Sequence, residues 1–97
     1  MKKFSFKPEI WNYLEEELWN ECILYEVLPG NQVNAYCDDE LFYQIHLAAY
    51  AKKRTEETGL VYLTRRQMNM PGFSLRKTLA EHGRRGFLIL EEIPEDD

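Results

Sequence analysis

CILYEVL, Cys22 to Leu28, is the stretch on which the fold turns, because it satisfies two periodicities at once. Joined to the residues before it, it extends a helical pattern. Trp11, Leu14, Leu18, Cys22 and Tyr25 recur at spacings of three and four, the stripe of a core-facing helix, and Trp19, Ile23 and Val27 add a second row at spacing four. Taken alone, the segment is rich in β-branched and aromatic residues and suits a strand, in which case the helix stops near Asn20. Pro29-Gly30 is a turn signal that closes either version. Sequence leaves both open.

Towards the N-terminus, Pro8 fits the first position of a helix, where its missing N–H has no intrahelical partner to lose, and Glu9 complements the positive end of the helix dipole. Residues 1–7 read as an arm or, through the alternation of Lys3 to Phe6, as a short edge strand. Towards the C-terminus, Asn31 to Cys37 is a polar connection with room for an extended piece at Val33 to Tyr36. Asp38 or Asp39 then caps a helix running to about Glu57. Leu41, Phe42, Ile45, Ala48 and Ala49 form one apolar face of that helix, and Tyr43, Leu47, Tyr50 and Arg54 a second arc. A helix apolar on two sides is central in its fold or meets a partner. Gly59 is expected to stop it in a left-handed conformation.

Leu60 to Leu63 is a β-prone run. Thr64 and Gln67 have the form of a capping box, predicting a short helix over Arg65 to Met70 that ends at Met70-Pro71-Gly72. Ser74 caps a further helix, Leu75 to His82, with Leu75 and Leu79 inward and Gly83 as its stop. Phe87 to Leu90 is a continuous apolar run expected to be a buried strand, and residues 94–97 form an acidic tail. The pattern predicts one α+β domain over residues 1–97, with about three helices and a short antiparallel sheet.

Ninety-seven residues with 44% hydrophobic and 13% aromatic content are too apolar for a disordered chain and enough for one core. Cys22 and Cys37 are too few for a disulfide framework, and no apolar run is long enough for a signal peptide or a membrane span. The expectation is a cytoplasmic protein with reduced thiols and no membrane partner. Charge is segregated. Thr64 to Gly86 carries Arg65, Arg66, Arg76, Lys77, Arg84 and Arg85 against the single acid Glu81, a balance of +5 inside a chain of net charge −5.

The chemistry-bearing residue types are present without the spacings that chemistry needs. Asp38-Asp39-Glu40 is a capping cluster rather than a cation loop, and His46 and His82 have no paired ligand spacing with the cysteines, so no metal is expected. The five glycines are scattered at turns and make no phosphate loop; no cofactor is expected. Neighbouring Glu81 and His82 point in different directions on a helix, and no nucleophile motif accompanies them, which argues against an enzyme.

Two binding readings remain. In one, Arg65 to Met70, the Pro71 turn and Leu75 to His82 form a helix-turn-helix with Phe87 to Leu90 as a wing, and Arg76 and Lys77 approach DNA. The acidic chain and the lack of Asn or Gln base readers weigh against it. In the other, Arg65, Arg66, Arg76, Lys77, Arg84 and Arg85 dock on the carboxylates of another protein, with Met70, Pro71 and Phe73 as the apolar centre. The Met70-Pro71 bond is either an ordinary trans turn or, as X-Pro bonds in flexible loops can, exchanges slowly between isomers, in which case a host prolyl isomerase is a further candidate partner.

From MKKFSFKPEIWNYLEEELWNE through RRQMNMPGFSLRKTLAEHGRRGFLIL to EEIPEDD, the chain resembles the anti-RecBCD protein 2 family of temperate bacteriophages. The resemblance lies in overall length and sequence run and transfers no contact residue. It implies a phage-encoded modulator in the host cytoplasm that binds the RecBCD helicase–nuclease through RecC. Such a protein alters the response to Chi, protects or redirects linear DNA ends for recombination, and lies where single-stranded DNA passes through the complex.

Overall fold

Leu24–Val27 is a strand in the computed structural model, which describes residues 2–14, 16–82 and 86–94. The long N-terminal helix is therefore not formed. Helix α1, Pro8–Tyr13, ends where Leu14 turns extended at φ −116° and ψ 149°, and a single helical turn, α2, Glu16–Trp19, follows. The i, i+4 row of Trp19, Ile23 and Val27 is split between elements: Trp19 is fully buried, while Ile23 and Val27 are exposed. Cross-strand pairing with a later segment offers Leu24 to Val27 a ladder of backbone hydrogen bonds, and this outweighs a helical pattern that is only local.

The chain divides into two compact units, Met1–Ala49 and Tyr50–Asp97. In the first, β1 (Lys2–Phe6), β2 (Leu24–Val27) and β3 (Val33–Cys37) form an antiparallel sheet in the order β1-β3-β2. The Lys3 to Phe6 segment thus takes its strand option. Phe6 pairs with Val33, Phe4 with Ala35 and Tyr25 with Ala35, which places the alternating apolar residues on one face. Val33, Ala35 and Cys37 are buried there, whereas Asn34 reaches Glu26 Oε1 at 3.3 Å on the other face. The β2–β3 turn uses Gly30 at φ +84° and Asn31 at φ +68°, left-handed conformations that these two residue types tolerate.

An aromatic cluster fills this unit. Trp19 meets the edge of Phe6 at 5.2 Å between centroids, with Trp11 and Tyr25 at 5.7 and 6.1 Å, and Phe42 stacks on Phe4 at 4.1 Å. His46 lies against Phe6 and Phe42 and its Nδ1 donates to the Phe42 carbonyl at 3.1 Å, the ordinary hydrogen-bonded histidine. Cys22 and Cys37 are free, buried thiols.

Helix α3, Asp39–Glu57, is capped by Asp38, whose Oδ1 accepts the Leu41 N–H at 2.8 Å. Leu41, Ile45, Ala48 and Ala49 of the first arc are buried, as are Ala51 and, from the second arc, Leu47, whereas Tyr43 is exposed and Tyr50 and Arg54 are half-buried. The helix does not end through Gly59, since Gly30 and Gly72 are the glycines with positive φ among the described residues. Thr58 ends it instead: its hydroxyl donates to the Arg54 carbonyl at 2.9 Å and accepts the Leu60 N–H at 3.2 Å.

The second unit is organised on β4 (Val61–Thr64) and β5 (Phe87–Leu90), which pair in parallel with Val61 beside Phe87 and Leu63 beside Ile89. Val61, Leu63 and Thr64 are buried. The Thr55 hydroxyl ties α3 to this sheet by accepting the Tyr62 N–H at 2.7 Å. By content this is a small α+β protein, with two substantial helices, α3 and a later one at Leu75–His82, and an antiparallel sheet in the first unit.

Candidate functional site

A parallel pair of strands needs a crossover, and the basic stretch is that crossover. It leaves β4 through Thr64, the N-cap of α4, Arg65–Met68. The capping box predicted from sequence is formed in both directions: Thr64 Oγ1 accepts the Gln67 N–H at 3.2 Å, and Gln67 Oε1 accepts the Thr64 N–H at 3.0 Å. The helix is one turn long and stops before Met70.

Met70 to Phe73 then form a tight turn, with the Phe73 N–H donating to the Met70 carbonyl at 3.2 Å, Pro71 at the second position and Gly72 at φ +82°. This is the Pro-Gly pairing of a type II turn, in which the third residue needs positive φ. The Met70–Pro71 bond is trans, since no cis peptide bond occurs among the described residues. Ser74 opens α5, Leu75–His82, its Oγ accepting the Lys77 N–H at 3.3 Å and its carbonyl the Thr78 N–H at 3.0 Å.

The candidate residues have different environments along this path. Arg65 is exposed, but its Nε donates to Glu91 Oε1 at 2.7 Å, so part of its charge is already answered within the chain. Arg66, Met70 and Phe73 are half-buried and Pro71 is exposed. Arg76 and Lys77 are exposed on α5 and have no acidic partner among the described residues. Arg84 and Arg85 lie outside the described residues. A further cation stands just before the crossover: the Arg54 guanidinium lies 5.6 Å from the centre of the Tyr62 ring.

The helix-turn-helix geometry is not what this connection adopts. Its first helix is a single turn, and β5 pairs in parallel with the strand before the helices, whereas a wing is a strand turning back beside its own neighbour. Among the described residues, no group of three or more His, Cys, Asp or Glu side chains converges as a metal site, and no helix is long and apolar enough to cross a membrane.

Two exposed apolar features escaped the sequence reading. Phe87 and Leu88 in the strand expected to be buried are 38% and 46% exposed, and Ile23 and Leu24 are more exposed still. A run of four apolar residues is the pattern of a strand covered on both faces, but β5 is an edge of a sheet that has two strands among the described residues. No family model, curated protein or solved structure matches the chain.

Proposed function

We propose that this chain is a non-catalytic protein-binding modulator that presents the β4–β5 crossover to an acidic surface of a larger assembly. The observation that carries the reading is the pair Arg76 and Lys77, exposed on α5 without an acidic partner among the described residues, in a stretch of +5 within a chain of −5. Exposed cations a few positions along the chain from the half-buried Met70 and Phe73 have the composition of a docking surface, which combines apolar anchors with charged groups. The partner is named by the sequence resemblance alone: the RecBCD helicase–nuclease of the host, through RecC. A small protein docked beside a DNA channel changes how strands are processed without supplying a reacting group.

The test uses tagged full-length protein and purified RecBCD at low and moderate salt. Retention of RecB, RecC and RecD in near-equal amounts, weakened at least about tenfold by Arg76→Glu with Lys77→Glu, supports the reading. Retention of none of them, together with a shift of naked DNA, rejects it in favour of nucleic-acid binding. Retention indifferent to both substitutions rejects the crossover as the docking surface.

A further inference from the structure

Cys22 and Cys37 meet where the β2–β3 ladder leaves its regular register. Leu24 is the ladder partner of Tyr36, yet the Ile23 N–H also donates to the Tyr36 carbonyl, at 3.1 Å. Two residues on this strand thus oppose one on β3, the arrangement of a β-bulge, which re-aims the side chains around it. Exposure carries the same mark. Successive residues of a regular strand point to opposite faces, but Ile23 and Leu24 are 68% and 61% exposed, and Tyr36 opposite them is exposed as well.

The bulge shifts the pairing by one residue, so the next residues outward, Cys22 and Cys37, come opposite each other. In the register of Leu24 to Val27, Cys37 would face Ile23 and Cys22 would face Asp38. Both cysteines are buried, Cys37 the more deeply. Opposed residues of an antiparallel pair have Cα atoms about 4.5–5.5 Å apart, inside the window of about 4.4–6.8 Å that a disulfide spans. The two thiols are within electrostatic and hydrogen-bonding reach of one another. A free cysteine is commonly just a small core residue, but two that a bulge brings into register make a dithiol.

We propose that Cys22 and Cys37 form a redox site, a dithiol in the structure described above, which exchange with a low-molecular-weight disulfide converts reversibly to an internal disulfide. The Cys22 thiolate, the less deeply buried of the two, attacks one sulfur of the small disulfide and displaces a thiolate. The Cys37 thiolate then attacks the Cys22 sulfur of the mixed disulfide and releases the second thiolate. Two thiols become one S–S bond, the small disulfide takes up two electrons, and the two protons leave with the released thiols. Burial slows the first attack, because the reactive thiolate is disfavoured there; the second is fast, because its nucleophile is already in place. The mixed disulfide therefore does not accumulate. Closure ties the connection between α2 and β2 to β3 and fixes the outward placement of Ile23 and Leu24. The site is independent of the partner proposed above, because it requires no other protein.

Full-length protein is brought to equilibrium in glutathione buffers of graded reduced-to-oxidised ratio, with and without denaturant, quenched in acid, and its intact mass read. The native chain is expected to lose two hydrogens without gaining glutathione, and to do so at a poise at least about tenfold more reducing than the denatured chain needs. Cys22→Ser and Cys37→Ser should each give a mixed disulfide at most. If either variant unfolds, the comparison of the native with the denatured unsubstituted chain decides. A native chain oxidised no more readily than the denatured one overturns the inference, and so does a glutathione adduct or an intermolecular dimer as the end product.

Discussion

Cys22 and Cys37 carry the clearest titration in the molecule, because each thiol is buried with the other as neighbour. Burial, and then the nearby Cys37, push the Cys22 thiol up to about 12; burial is also the main cause that raises Cys37. The thiolate is the reactive form, so native protein at about pH 8 is expected to react with a dithionitrobenzoate reagent at least about a hundredfold more slowly than protein in denaturant. Equal rates would place the thiols at the surface. The same shift fixes a sign for stability. Folding favours the protonated thiol, so this contribution is complete below the ordinary thiol value of about 8.5 and is lost as pH rises towards the folded value. Urea midpoints should therefore fall between about pH 8 and pH 10, and Cys22→Ala should flatten that fall. Trp19, fully buried against Phe6, Trp11 and Tyr25, is the other residue on which the first unit depends: Trp19→Ala is expected to cost about 3–5 kcal/mol in denaturant titration.

At the scale of elements, the crossover depends on two short-range devices that substitution can remove singly. Thr64→Ala deletes the cap that accepts the Gln67 N–H and should cost about 1 kcal/mol, while Gly72→Ala forces a side chain into φ +82° at a similar cost of roughly 1–2 kcal/mol. An added Cβ at Gly72 meets nothing within 4 Å, so the penalty there is purely conformational; chemical denaturation showing no loss would contradict the turn geometry. These devices were legible in the sequence because the residues that make them are at most a few positions apart: Thr64 with Gln67, Ser74 with Lys77, Asp38 with Leu41, and Pro71 with Gly72. The Cys22 to Leu28 segment was not legible for the opposite reason. Its partner is Val33 to Cys37, and only that distant ladder separates a strand from a continuing helix. Gly59 failed as a stop because Thr58 beside it closes the helix through its side chain. Phe87 to Leu90 was rightly read as a strand and wrongly as buried, since burial depends on what distant parts of the chain pack against its faces.

Over the whole molecule, charge is divided between the two units, and the division decides which cations are available to a partner. Residues 1–49 hold three basic and nine acidic residues, a balance of −6, and residues 50–97 nine basic and eight acidic, a balance of +1. Within the second unit the basic residues are not equivalent, although the sequence presents them as one run. Arg65 is held by Glu91 at 2.7 Å, whereas Arg76 and Lys77 meet no acid among the described residues. For an acidic docking partner, removing Arg65 should therefore matter less than removing Arg76 or Lys77. Releasing Arg65 should help: Glu91→Gln leaves its guanidinium free to turn outward and removes a negative charge that repels the partner. The pair is exposed on both sides, so its strength is that of a surface ion pair, and affinity for the proposed partner is expected to rise only about two- to fivefold. Because exposed charges are screened over about 8 Å at physiological ionic strength and about 3 Å at 1 M, the gain should be largest at low salt and vanish at high salt. Titration of Glu91→Gln against the native chain at several salt concentrations measures this directly. An affinity that drops at every salt concentration would mean that Glu91 itself touches the partner, and the basic crossover would then cease to be the face that docks.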